Sequence, residues 1–235
     1  MSSIKRVLSL FSGCGGMDLG MEGDFWVHQD FINEKLYPNW IIDRQNQFVK
    51  LGRTSFETVF ANDIEMTAKN AWLPYFQKRG KEDIFYLESI VNLVKQAEKG
   101  KFNFPDNIDV LTGGFPCQDF SVSGKRKGFN SHKSHQGNYL DDNEDIEKEN
   151  RGMLYYWMKK VIEITLPKIF IAENVKGLNS LANVKQRIEN DFKAINNNSY
   201  LVFSQLLYAP NYGIPQTRER LFFIGINKNF LKIGV

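Results

Sequence analysis

The sequence has 235 residues, 42% hydrophobic and 24% charged, with 19 Phe, 9 Tyr and 4 Trp, an ordinary globular composition able to build a sizeable core. Thirty basic and 27 acidic residues give a net charge of +3, which permits a polyanionic partner without demanding one. Two cysteines, Cys14 and Cys117, exclude a disulfide framework and a four-ligand zinc site; no stretch has the length of a membrane span, and the apolar run at the N-terminus is too short and Gly-rich for a signal peptide, so a reducing, cytoplasmic setting is the default expectation.

In chain order, "RVLSLF" (6–11) reads as a buried strand that runs into "SGCGGMDLG" and a helix-like segment. Residues 24–58 are aromatic and mixed in charge, with no clear period. "TVFAND" (58–63) reads as a second strand ending in an acid, followed by a helix interrupted at Pro74. Leu87, Ile90, Val91 and Val94 have helical spacing, with Gly100 as a stop. "IDVLTGGF" (108–115) is a third strand, 122–150 a polar loop that starts basic and ends acidic, and "RGMLYYWMKKVIEITLP" an amphipathic helix closed by Pro167. "KIFIAEN" (168–174) is a fourth strand, "VKQRIENDFKAI" a helix, and "YLVFSQLLYA" and "RLFFIGIN" the last two strands. The alternation predicts an α/β fold: an open, mostly parallel sheet with helices on both faces. The last two strands are joined without room for a helix, so they should pair antiparallel. In such a sheet chemistry sits beyond the carboxyl ends of the strands. Gly13 to Gly16, Asp63, Pro116–Cys117 and Glu173–Asn174 all fall there.

Each of these groups has a plain reading and a functional one. The glycines of "FSGCGG" either shape a strand–helix turn or let a nucleotide-like ligand approach the backbone; G-x-G-G is not the dinucleotide spacing. Asp63 could accept from ribose hydroxyls. Cys14 reads as a small core hydrophobe or part of the turn. Cys117 differs: it follows a strand end and a proline and precedes a polar loop, where a nucleophile would be offered to a substrate. "KRK" (125–127) and "RER" (218–220) could favour its thiolate. No His lies near a strand end, so the candidate partner is Glu173 on the neighbouring strand. Its carboxyl could protonate or hydrogen-bond a ring nitrogen, or merely complement a helix dipole.

Together, "LSLFSGCGGMDLG", "GGFPCQDFS", "AENVKGL" and "NYGIPQTRERLFFIGI" resemble, in order and over nearly the whole chain, the signature motifs of the cytosine-5 DNA methyltransferases. The resemblance implies a Rossmann-like methyltransferase fold with one antiparallel strand, formed by residues 1–235 as one catalytic domain. It also implies S-adenosylmethionine as methyl donor, S-adenosylhomocysteine as product and double-stranded DNA as substrate, in the setting of restriction–modification. Carried over residue by residue, Cys117 is the nucleophile that attacks carbon 6 of cytosine, and Pro116 holds its loop. Glu173 contacts ring nitrogen 3 and the amino group, and Asn174 helps hold the site. Arg220 contacts the base carbonyl, Arg218 supports the loop or a phosphate, and Gln216 belongs to the same motif. On the cofactor side fall Phe11, Gly13, Cys14, Gly15, Gly16, Asp63, Ile64 and Leu154, with Ser89 or Asp83 serving the third cofactor motif. No metal is implied.

The family continues past "RLFFIGI" into a target-recognition region and two closing motifs. The chain is therefore expected to be a fragment, one subunit of a split enzyme whose second polypeptide supplies the rest, or a truncated product, and to bind and methylate DNA poorly by itself. Two other functions stay open: cytosine-5 methylation of transfer RNA, and a non-catalytic cofactor-binding regulatory module.

Overall fold

The computed structural model describes residues 3–116, 153–179 and 181–231; Cys117 and the polar loop 122–150 lie outside the described residues. Strand β1 (Lys5–Leu10) leads into helix α1 (Gly16–Glu22), and β2 (Trp26–His28), β3 (Ile41–Gln45) and β4 (Phe48–Leu51) follow. Then come β5 (Phe56–Asp63), α2 (Met66–Phe76), β6 (Phe85–Leu87), α3 (Ile90–Glu98) and β7 (Val110–Gly113). The remainder is α4 (Leu154–Thr165), β8 (Ile169–Val175), the single turn α5 (Lys176–Asn179), α6 (Ala182–Lys193), β9 (Tyr200–Tyr208) and β10 (Glu219–Asn227).

Seven strands form one sheet in the order β6-β5-β1-β7-β8-β10-β9. The pairs from β6 to β8 are parallel, and β10 runs antiparallel to both neighbours. The expected α/β fold with one antiparallel strand is therefore present. Chain direction along the sheet reverses between β1 and β7, which opens a crevice at their carboxyl ends. The core holds this frame: Leu8, Leu10, Phe60, Leu111, Phe170, Phe192 and Phe223 are fully buried, each contributing about 1.5–3 kcal/mol of apolar transfer. Gly225 shows how tightly β8 and β10 fit, because a Cβ there would fall inside the ring of Phe170, its partner across the ladder. Any side chain at Gly225 would push that ring off its seat.

Strand β8, and β10 from Arg220 onward, alternate between buried and half-exposed residues. The ladder places Ile224 opposite both Ile171 and Phe203, and Ile226 opposite both Ile169 and Leu201. Directly opposed residues share a face, so these side chains and Phe222 form one apolar surface. It is half-exposed, with Leu201 48% and Phe203 47% accessible.

Three local expectations are corrected. Residues 24–58 contain a three-stranded sheet, β2-β4-β3, besides the start of β5. Its strands are short, and its apolar Trp26, Ile42 and Phe48 stay exposed, which erases the alternation that would reveal a strand. Helix α2 runs through Pro74 to Phe76: near the end of the helix the proline forfeits one bond to the preceding turn, a cost the helix absorbs. Leu87, counted with the helical run, instead ends β6, and α3 begins at Ile90; β6 is an edge strand of three residues, below the length at which periodicity is visible.

Candidate active site

The loop after β1 bends through three left-handed residues in five: Phe11 at φ 51°, Gly13 at 55° and Gly15 at 83°. Glycine adopts that region freely, but for Phe11 it is strained, a cost met most often at functional sites. Hydrogen bonds hold the bend: Ser12 N–H donates to the Asn62 carbonyl at 2.9 Å and Gly15 N–H to the Ser12 carbonyl at 2.9 Å. Asp63, at the end of β5, accepts from Gly13 N–H through Oδ2 at 2.9 Å and from Glu65 N–H through Oδ1 at 3.0 Å. The predicted ribose acid is thus also the clamp of the glycine loop. Cys14 is exposed on this turn, which corrects the core-hydrophobe reading; a residue between two left-handed glycines projects away from the core.

The other cofactor-side residues are placed as follows. Ile64 is 36% exposed beside Asp63. Ser89 lies past the carboxyl end of β6, where Leu87 pairs with Asp63, and its hydroxyl caps α3 by accepting from Val91 N–H at 3.2 Å. Asp83 is exposed before β6, at the opposite end of that strand. Leu154 is buried at the start of α4.

Beyond β7 and β8 the second half of the site assembles. Gly113 pairs with Ala172, so the chain leaving β7 passes directly over Glu173; a Cβ on Gly114 would sit 3.3 Å from Glu173 Oε2. Asn174 is buried, and its amide donates to the Phe115 carbonyl at 3.3 Å. It fixes the segment that ends in Pro116, immediately before Cys117. Arg220 Nε lies 2.9 Å and Arg218 Nη2 3.4 Å from Glu173 Oε1. Three residues from two separated motifs thus meet at one carboxylate. Gln216 sits on an exposed turn, with its N–H bonded to the Ile214 carbonyl at 2.8 Å.

The two halves share one open cleft of about 490 Å³. Phe11, Ser12 and Gly16 line one side, Gly114, Glu173 and Arg220 another. Tyr212 and Ile214 at its rim escaped sequence reasoning, since nothing marks an exposed tyrosine or isoleucine in a loop. Neither did pattern reveal Asp18, a fully buried carboxyl behind the glycine loop. Burial pushes its pKa from 3.8 up to about 6, opposed by the Ser9 hydroxyl, the Trp72 indole N–H and the charge of Lys81, and assisted by the charge of Glu22.

That shift has a definite sign. The folded chain holds this proton more tightly than the unfolded chain, so the group's stabilising contribution is complete below the unfolded pKa and is lost as pH rises through about 6. Glu22 and Asp109, whose pKa values are lowered, act in the opposite sense at more acid pH. Comparing the chain with Asp18→Asn in denaturant titrations isolates Asp18. Going from about pH 7.5 to about pH 5, the parent should gain on the order of 1 kcal/mol relative to the variant. An equal pH response in both would refute the assignment.

Comparison with known proteins adds an independent finding. The model of the C-5 cytosine-specific DNA methylase family matches residues 5–233. Type II methyltransferase M.BspRI of Lysinibacillus sphaericus is 33% identical over 226 residues, covering 95% of this chain and 45% of the relative. Type II methyltransferase M.NgoFVII of Neisseria gonorrhoeae is 30% identical, covering 96% and 44%. The chain therefore spans about half the length of the curated relatives it matches. Among solved structures, a variant of Spodoptera frugiperda DNMT2 shares the fold, with a TM-score of 0.54 and 21% identity over 96% of this chain and 51% of that one. The family match leaves almost none of the sequence outside it, and the chain belongs to the C-5 cytosine-specific DNA methylase family.

Proposed function

We propose that this chain carries the chemistry of methyl transfer from S-adenosylmethionine to carbon 5 of cytosine in duplex DNA, as the modification activity of a restriction–modification system. The observation that carries this reading is the meeting of Glu173, Arg220 and Arg218 in the same cleft as the glycine loop. A non-catalytic cofactor-binding module has no use for that convergence.

The cofactor side fits its group. Added Cβ atoms at Gly13 and Gly16 would meet nothing within 4 Å, so the loop backbone is open to a ligand on its outer side. Asp63 stands beside it as an acceptor for hydroxyls. Bound there, the donor supplies an electrophilic methyl group. The chain's own residues act on the base. A cytosine inside a duplex is out of reach of a side chain, so the base must leave the stack. Glu173 then engages ring nitrogen 3 and the amino group, and Arg220 the base carbonyl. Cys117, offered by the segment that Asn174 fixes, adds its thiolate to carbon 6, and the C5–C6 π pair becomes the nucleophile at carbon 5. After carbon 5 is methylated, loss of its proton returns the electron pair to the ring, re-forms the C5–C6 double bond and expels the thiolate.

A second element of the proposal is polypeptide beyond the described residues, in the same chain or a separate one. It packs on the half-exposed apolar face of β8, β10 and β9 and brings the direct base readout that sequence specificity requires. Phe222 belongs to that face and also lines the cleft, so covering the face closes the site.

The acceptor assay tests this reading. The intact enzyme, given methyl-labelled donor with duplex DNA or transfer RNA, should label DNA and yield 5-methylcytosine. Label confined to transfer RNA would overturn the duplex DNA assignment in favour of the RNA branch.

A further inference from the structure

Asp18 is buried to 0% accessibility in the first turn of α1, two residues past the glycine loop. Its Oδ2 accepts from Trp72 Nε1 at 2.7 Å. Its Oδ1 makes no hydrogen bond of normal geometry, although the Ser9 hydroxyl is close enough to favour the charged form. The nearby cations are committed elsewhere: Arg79 and Lys81 bond Glu22 at 2.7 and 2.8 Å. A buried carboxyl so poorly satisfied costs stability, and an apolar side chain of similar volume would avoid that cost. Groups that lower stability while standing behind a binding loop are where function is to be sought.

The geometry shows what Asp18 is attached to. Trp72 stacks on Phe76 with ring centroids 4.0 Å apart. The pair forms the floor under Gly15: a Cβ there would lie 2.6 Å from Trp72 Cδ1 and 2.8 Å from Phe76 Cε2. On the loop's other limb, Ser12 donates to the Ser9 hydroxyl at 2.9 Å, and Ser9 is the residue whose hydroxyl approaches Asp18. The carboxyl therefore reaches the turn through the indole that floors Gly15.

We propose that Asp18 is a positioning residue for the methyl-donor loop, holding Trp72 under Gly15 so that Phe11 to Gly16 keep the left-handed bend that the donor meets. The inference rests on the cofactor reading of that loop, but its first test does not require the cofactor. The test compares the full chain with Asp18→Leu, which keeps the volume and removes the acceptor, and with Asp18→Asn, which keeps an acceptor for the indole. Hydrogen exchange is followed at Gly13 and Gly15, whose N–H groups bond Asp63 and Ser12. Affinity for S-adenosylhomocysteine and Tm are measured alongside.

Asp18→Leu should exchange at these two amides on the order of tenfold faster and bind S-adenosylhomocysteine on the order of tenfold more weakly, with a Tm at or above the parent's. Asp18→Asn should restore both to within about threefold. Parent-like exchange in Asp18→Leu overturns the proposal. So does loss in Asp18→Asn equal to that in Asp18→Leu, and so does an Asp18→Leu chain that fails to fold or exchanges faster throughout, because the carboxyl would then serve general packing. If the loop amides respond as stated while the parent enzyme binds no S-adenosylhomocysteine, the positioning role stands and the cofactor reading fails.

Discussion

Glu173→Gln should lower methyl transfer to duplex DNA by about 10²–10⁴-fold in the intact enzyme, with Tm and affinity for S-adenosylhomocysteine almost unchanged. The side chain is half-buried at the end of β8, and glutamine fills the same space. What changes is the carboxylate that faces Arg220 at 2.9 Å and Arg218 at 3.4 Å and that the cytosine ring would meet. Removing its charge takes away a group that can hold or supply the proton at ring nitrogen 3, and leaves two guanidinium groups without their anion. The loss should fall on kcat more than on KM for DNA, because the contact strengthens as charge moves through the ring. Arg220→Lys is the companion: it keeps a positive charge but not the planar fork that serves a carboxylate and a base carbonyl together. Single-turnover methylation by both variants decides the matter. A Glu173→Gln enzyme that keeps parent-like turnover would remove the acid from the mechanism and return Glu173 to a structural ion pair.

The candidate site was legible where chemistry leaves local marks, and obscure where it depends on distance along the chain. Strand ends rich in glycine or carrying an acid located the loop after β1, Asp63 and Glu173, because a parallel sheet gathers such ends on one edge. Neighbouring strands brought Glu173 beneath the segment that leaves β7, as the Gly113–Ala172 pairing shows. By contrast, "RER" alone reads more readily as a solvated charged turn. Only the antiparallel return of β10 turns Arg220 back toward Glu173; the family resemblance implied that both face one base, and their ion pair had no signal in the sequence. Asp18 gave no signal: an acid in the first turn of a helix is ordinary, and its burial depends on Trp72, 54 residues away. The three-stranded sheet at 26–51 was lost because both of its faces carry apolar residues. Its loop even reaches the side of the candidate site, since Asn33 packs against Gly213, which is left-handed at φ 78° next to the rim residues Tyr212 and Ile214.

The apolar face of β8, β10 and β9 should make this chain self-associate when nothing covers it, and charge on that face should abolish the association without loss of fold. Central strands in an open sheet are normally covered on both sides, and their sequences read as continuous apolar runs. "IFIA" in β8 and "LFFIGI" in β10 are such runs, yet Ile169, Ile171, Phe222, Ile224 and Ile226 remain half-exposed. With Leu201 and Phe203 they form a contiguous patch of the kind that marks an interaction surface. Finishing the burial of seven such side chains at roughly 1 kcal/mol each gives a gross gain of several kcal/mol from this side alone, to which the apolar surface of a covering helix or second copy adds against the cost of association. Ile224→Lys with Phe203→Lys places charge at two directly opposed positions. In the chain alone the pair should give a monomer in sedimentation, with Tm within about 3 °C of the parent, as for a change of at most 1 kcal/mol. In the intact enzyme the same pair should lose most methyl transfer if, as proposed, further polypeptide covers this face, since Phe222 belongs to the face and also lines the cleft. Full activity of the doubly substituted intact enzyme would mean that the face stays open to water and that nothing docks there.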